Sequence, residues 1–154
     1  MGDLRDLYQD IILDHGKNPR NLRRIPDCGQ ADCHLAEGYN PLCGDRLILY
    51  VKMSGELIED VAFEGAGCAI FTSSTSILTE VLRGKTLAQA RETLARFLAM
   101  LTNESDDPAL ADGLGKLAVF AGVKEFPVRV KCATLAWRTF EAAMAGGGAP
   151  ITTE

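Results

Sequence analysis

The chain carries only two histidines, His15 and His34, and no serine–histidine–aspartate arrangement can be assembled around them. Basic stretches are also missing. Lys and Arg number 16 against 21 Asp and Glu, for a formal net charge of -5, so nucleic acid is not an expected partner. The densest candidate, Arg20 to Arg24, is interrupted by Asn21 and Leu22 and reads as a solvated loop. No apolar run is long enough to span a bilayer, so no membrane association is expected. The N-terminus, Met1-Gly2-Asp3-Leu4-Arg5-Asp6, brings in acidic residues before any apolar segment. That is unlike a secretory signal, and the expected location is the cytoplasm. Repeats and low-complexity segments are absent.

What is present describes one domain. A length of 154 residues suits a single core, and 47% hydrophobic with 24% charged residues is ordinary for a globular chain. Five cysteines in a reducing compartment are poor disulfide candidates and read better as metal ligands or reactive thiols.

Hydrophobic periodicity orders the elements. Leu4, Leu7, Tyr8, Ile11 and Ile12 form a helical stripe over residues 3–15, ended by Gly16 and Pro19. Residues 17–45 are rich in Gly, Pro, Asn and Asp and read as irregular. Residues 46–53 alternate as a strand, and residues 57–64 return as a second after the Ser54-Gly55 turn. A third strand is expected near His34 to Gly38. From residue 69 the period becomes helical up to Gly84, and Thr86 with Gln89 forms a capping box for a further helix. Short helices are expected over 109–121. Pro127 precedes an expected extended stretch, Val128 to Lys131, before a last helix from about Ala133 to Met144. Strands come first and helices later, so the expected class is α+β: a small antiparallel sheet of about three strands with an N-terminal helix and a C-terminal group of helices. Residues 1–146 read as one domain and 147–154, with Gly146, Gly147 and Gly148 at its start, as a flexible tail.

Three cysteines stand at element edges. Cys43 precedes the first confident strand, Cys68 follows the second and opens a helix, and Cys132 precedes the last helix. A helix N-terminus favours a thiolate, the form that binds metal and attacks sulfur. Glycines beside Cys43 and Cys68 let backbone approach a bound ion. Asp45 adds a carboxylate. Three sulfurs and one oxygen suit a tetrahedral zinc site or an open iron–sulfur site. Any one cysteine is equally a buried small hydrophobe, and the spacings are far wider than a zinc finger's.

The chain resembles the U-type iron–sulfur scaffold proteins: IscU, the N-terminal domain of NifU, and SufU. The resemblance is carried by Leu7-Tyr8, Asp14-His15, Asn18-Pro19-Arg20-Asn21, Asn40-Pro41, Cys43-Gly44-Asp45, Gly65, Gly67-Cys68, Arg129 and Lys131-Cys132, in order along the whole chain. It implies a small antiparallel sheet packed by helices, and Cys43, Asp45, Cys68 and Cys132 as the site. It also implies a cysteine desulfurase partner that delivers persulfide sulfur to one of these cysteines, taken as Cys132, with downstream apo iron–sulfur proteins as further partners. Where IscU and NifU carry a histidine before the third cysteine, this chain has Lys131. That substitution, a longer segment between the second and third cysteines, and the run Cys132 to Trp137 resemble the SufU branch, whose members bind zinc and accept sulfur. The implied cofactor is zinc, with a transient iron–sulfur cluster as the scaffold alternative. A protonated lysine cannot ligate a metal, so Lys131 and Arg129 are expected to lower the thiol pKa values by charge. Two other readings are a structural zinc-binding interaction domain and a zinc enzyme, the second lacking a general base placed by motif.

Remaining features read more plainly. Cys28 and Cys33 are separated by four residues, not two, and are expected to be incidental loop thiols. His15 is expected to pack locally at its helix end. Gly84-Lys85-Thr86 lacks the upstream glycine of a phosphate-binding loop and reads as a helix stop followed by a cap.

Overall fold

A computed structural model describes residues 4–30, 32–103 and 107–152. The order is helix α1 (Leu4–Lys17), strands β1 (Cys33–Asn40), β2 (Asp45–Ser54) and β3 (Leu57–Ala66), then helices α2 (Ala69–Leu82), α3 (Leu87–Thr102) and α4 (Pro127–Met144), and strand β4 (Ile151–Thr152). Two 3₁₀ segments, Pro108–Ala111 and Gly115–Glu125, lie between α3 and α4. The class is α+β, as expected. The sheet runs β3-β2-β1-β4, antiparallel except that β4 pairs in parallel with Gly38 and Tyr39.

The sheet buries one face against the helices. Leu47, Leu49, Val51 and Met53 of β2 and Ile58, Val61 and Phe63 of β3 meet Phe71, Ile77, Leu78, Leu135, Trp137 and Phe140. Trp137 is fully buried, stacks 4.8 Å from Phe97, and donates its indole N–H to Ser74 Oγ at 3.2 Å. A buried indole needs such an acceptor.

Helix α2 is central and unusually polar. Ser73, Ser74, Thr75, Ser76 and Thr79 are all fully buried. Each hydroxyl is satisfied: Ser73 donates to Ala69 O, Thr75 to Phe71 O and Thr79 to Ser76 O, Ser74 donates across to Ala133 O, and Ser76 Oγ accepts from Arg20 N–H and pairs with His15 Nδ1. Unsatisfied, each would cost about 1–3 kcal/mol. The short side chains also let α1 and α4 pack closely on α2.

The irregular strap after α1 passes the outer edge of β3. Arg23 N–H donates to Phe63 O and Phe63 N–H to Asn21 O, at 2.9 and 3.0 Å. The strap then crosses the other sheet face, where Ile25, Tyr50 and Ala62 form a second small core with Cys28, Cys33, Leu35 and Ile48 against it.

Three expectations need correction. Cys28 and Cys33 are not incidental thiols. They are joined in a disulfide, because a tight turn brings their Cα atoms to 4.8 Å. Val128 to Lys131 is not extended: α4 begins at Pro127, whose missing N–H costs nothing at the first helical position and whose fixed φ suits it. Cys132 therefore stands in the second turn of α4, not before it. The capping box is as read, with Thr86 Oγ1 accepting from Gln89 N–H and Gln89 Oε1 accepting from Thr86 N–H.

His15 is 1% exposed, with Nδ1 2.7 Å from Ser76 Oγ and Nε2 3.6 Å from Glu80 Oε1. Burial, reinforced by the Arg20 charge, holds its pKa below the ordinary 6.5. The unfolded chain then takes up a proton near pH 6.5 that the folded chain resists. The stabilisation is complete above that pH and is lost as pH falls below it. The urea midpoint is expected to drop between pH 7 and pH 5, and His15→Gln should flatten that slope.

Candidate metal centre

β1 and β2 are joined by residues 41–44 in a four-residue hairpin loop, with Gly44 at φ +71 allowing the left-handed turn. Asn40 and Asp45 pair across the base of this hairpin, and both are fully buried. Cys43 stands half-buried at the tip. From the opposite side α4 brings Cys132, fully buried, with its Sγ 3.0 Å from Cys43 Sγ. Ligand atoms of Cys43, Asp45 and Cys132 all lie within 4.8 Å of one another.

Cys68 joins this group through its backbone. Its N–H donates to Asp45 Oδ1 at 2.9 Å, while its sulfur turns back to cap α2, accepting from Phe71 N–H at 3.5 Å. The expectation of a thiol at a helix N-terminus holds for Cys68 and not for Cys132. Gly67 makes the approach possible, since a Cβ there would lie 2.3 Å from Asp45 Oδ1 and 2.7 Å from Phe71 Cδ2.

Asn40, read in the sequence only as part of a motif, is placed by the structure in direct contact with this group. Its Nδ2 donates to Asp45 Oδ2 at 3.1 Å and to Cys132 Sγ at 3.5 Å, and its Oδ1 is buried without a partner. The available sign was an asparagine at the base of a hairpin ending in a carboxylate, where an amide is the natural neutral donor.

The charge expectation for Cys132 is reversed. Burial pushes its thiol far above the ordinary range, and hydrogen bonds with Cys43 and Asp45 and the neighbouring Cys68 push it the same way. Arg129 and Lys131 lie in the first turns of α4, Arg129 exposed and Lys131 half-buried, and they do not offset that cost. His15 is engaged with Ser76 and Glu80, away from this group.

The Cys43 and Cys132 sulfurs and the Asp45 carboxylate, brought together from separate elements, are a donor set for a borderline cation such as zinc. Exposed Leu42 precedes Cys43 in the chain, and exposed Val128 lies beside Cys132, whose Sγ is 3.5 Å from Val128 O. Among the described residues no helix is long and apolar enough to cross a membrane.

Closing the Gly67 gap tests this packing. Gly67→Ala is expected to destabilise the fold by about 1–3 kcal/mol, because neither Asp45 nor Phe71 can retreat from the core. A urea titration against the wild type measures it.

The NifU-like N terminal domain pattern matches residues 7–143. The chain is 38% identical over 143 residues to the zinc-dependent sulfurtransferase SufU of Bacillus subtilis (strain 168), covering 93% of this chain and 92% of that protein. It is 37% identical over 145 residues to the iron–sulfur cluster assembly scaffold protein IscU of Streptococcus pyogenes serotype M1, covering 94% and 86%. The crystal structure of SufU from Fervidobacterium islandicum AW-1 superposes with a TM-score of 0.78 at 34% identity, covering 92% of this chain and 99% of that one. A NifU-like N-terminal structure from Brucella abortus, 21% identical with a TM-score of 0.78, shares the fold. Nearly the whole chain is matched, and it belongs to the family of NifU-like N-terminal domains.

Proposed function

We propose that this protein serves iron–sulfur cluster assembly as a sulfur acceptor for a cysteine desulfurase, with zinc held by Cys43, Asp45, Cys68 and Cys132. The observation that carries the reading is the convergence of Cys43, Asp45 and Cys132 within 4.8 Å beside the Cys68 backbone. Membership of a family that includes a zinc-dependent sulfurtransferase and cluster scaffolds supports it.

Bound zinc would supply positive charge that holds the thiols as thiolates. The residues do the rest. Asn40 and the Cys68 N–H hold the Asp45 carboxylate in place through its two oxygens. Cys132, as thiolate, attacks the outer sulfur of the donor's persulfide. The S–S bond breaks, the donor leaves as a thiolate, and Cys132 carries the sulfur as a new persulfide, so no net electrons are needed. Cys43, at the exposed hairpin tip 3.0 Å from Cys132, is the neighbour through which sulfur can reach the surface. Exposed apolar Leu42 and Val128 beside the two sulfurs suit a protein donor better than a free anion. Lys131 cannot serve as a ligand, which favours relay over a standing cluster. Downstream apo iron–sulfur proteins are the final recipients under this reading.

Protein purified without added metal should contain zinc near one per chain by elemental analysis and show no visible chromophore. Iron with acid-labile sulfide would instead establish a cluster scaffold. Asn40→Ala should weaken zinc affinity by about 10–100-fold, read by competition with a chromophoric chelator. Cys132→Ser should reduce desulfurase stimulation to background while its circular dichroism stays that of the wild type. Stimulation at the wild-type level would overturn Cys132 as the acceptor.

A further inference from the structure

The Cys28–Cys33 disulfide lies outside the proposed metal centre. Cys33 opens β1 and Asn40 closes it, so the two sites stand at opposite ends of one strand, about 23 Å apart at the usual rise per residue.

The turn holding the pair is built by main-chain bonds that do not need the sulfurs joined. Gly29 N–H donates to Cys33 O and Cys33 N–H to Gln30 O, both at 2.9 Å. Gly29, at φ +105, provides the backbone conformation that closes the turn. The two thiols would therefore stay opposed after reduction. A reduced Cys28 also has an acceptor waiting, since its Sγ lies 3.4 Å from His34 O. Both oxidation states fit the same turn.

The pair is reachable and has something to hold. An open cleft of about 310 Å³ borders Cys33, lined also by Gly29, Gln30, His34 and Gly147. That is room for a small molecule beside Cys33. On the inner side, Cys28 and Cys33 pack against the small core of Ile25, Tyr50 and Ala62. The strap over this core is irregular and carries Asn21 and Asp27 at φ 59 and 60.

We infer that Cys28 and Cys33 form a reversible dithiol–disulfide site at the outer sheet face, exchanging with a low-molecular-weight thiol in the cleft. In reduction, a thiolate attacks Cys33 Sγ and breaks the S–S bond. Cys28 leaves as a thiolate and takes a proton, and Cys33 carries the mixed disulfide. A second thiolate attacks the small molecule's sulfur and frees Cys33, which is protonated in turn. Two electrons enter the protein and two small thiols leave as one disulfide. Oxidation runs the same steps backwards.

The test equilibrates the full chain across a series of reduced and oxidised glutathione mixtures, then quenches with acid and alkylates for mass spectrometry. Cys28 and Cys33 should pass together from disulfide to dithiol within the series, while Cys43, Cys68 and Cys132 remain alkylatable on unfolding. A pair that stays dithiol throughout, or disulfide throughout, overturns the inference.

Discussion

A single buried carboxylate organises this end of the molecule. Asp45 opens β2, accepts the Cys68 N–H from the start of α2, and accepts the Asn40 amide from the end of β1. A fully buried carboxylate without such donors would be expensive. The hairpin, the α2 N-terminus and the second turn of α4 must therefore assemble together around it. The close packing of Gly67 over Asp45 and the cross-strand pairing of Asn40 follow from that requirement. Cys43 and Cys132 are then brought into contact as a result of satisfying the carboxylate.

This arrangement also explains the protonation bias of Cys132. A thiol buried beside another sulfur and a carboxylate is strongly biased towards its protonated form. Forming the thiolate at that position calls for a compensating positive charge, which a divalent cation can supply.

Much of this was legible in the chain. Alternation over residues 46–53 and the return at 57–64 announced the hairpin, and the Thr86–Gln89 pair announced α3, because these depend on local chemistry. Cys43, Asp45, Cys68 and Cys132 could be grouped from motif order. What could not be read depends on tertiary context. Pro127 is equally at home ending a loop or starting a helix, and packing of Leu135, Trp137 and Phe140 on the sheet decides the matter. The Cys28–Cys33 bond needed the turn geometry at Gly29, which composition does not give. Asn40 is notable only once its burial is known. The orientation of Cys68, capping α2 with its sulfur, likewise depends on where the Phe71 N–H points.

Helix α2 gives these observations a mechanical sense. Cys68 caps its first turn, Ser74 meets α4 through Ala133, and Ser76 meets His15 of α1 and the Arg20 amide at the head of the strap. Since the Ser74 and Ser76 hydroxyls are closed on partners in neighbouring elements, the helix cannot slide along them without breaking several bonds at once. It behaves as a stiff beam bolted at three points. A load applied at the N-terminal helix is delivered, with little slack, to the sulfur end some two turns away.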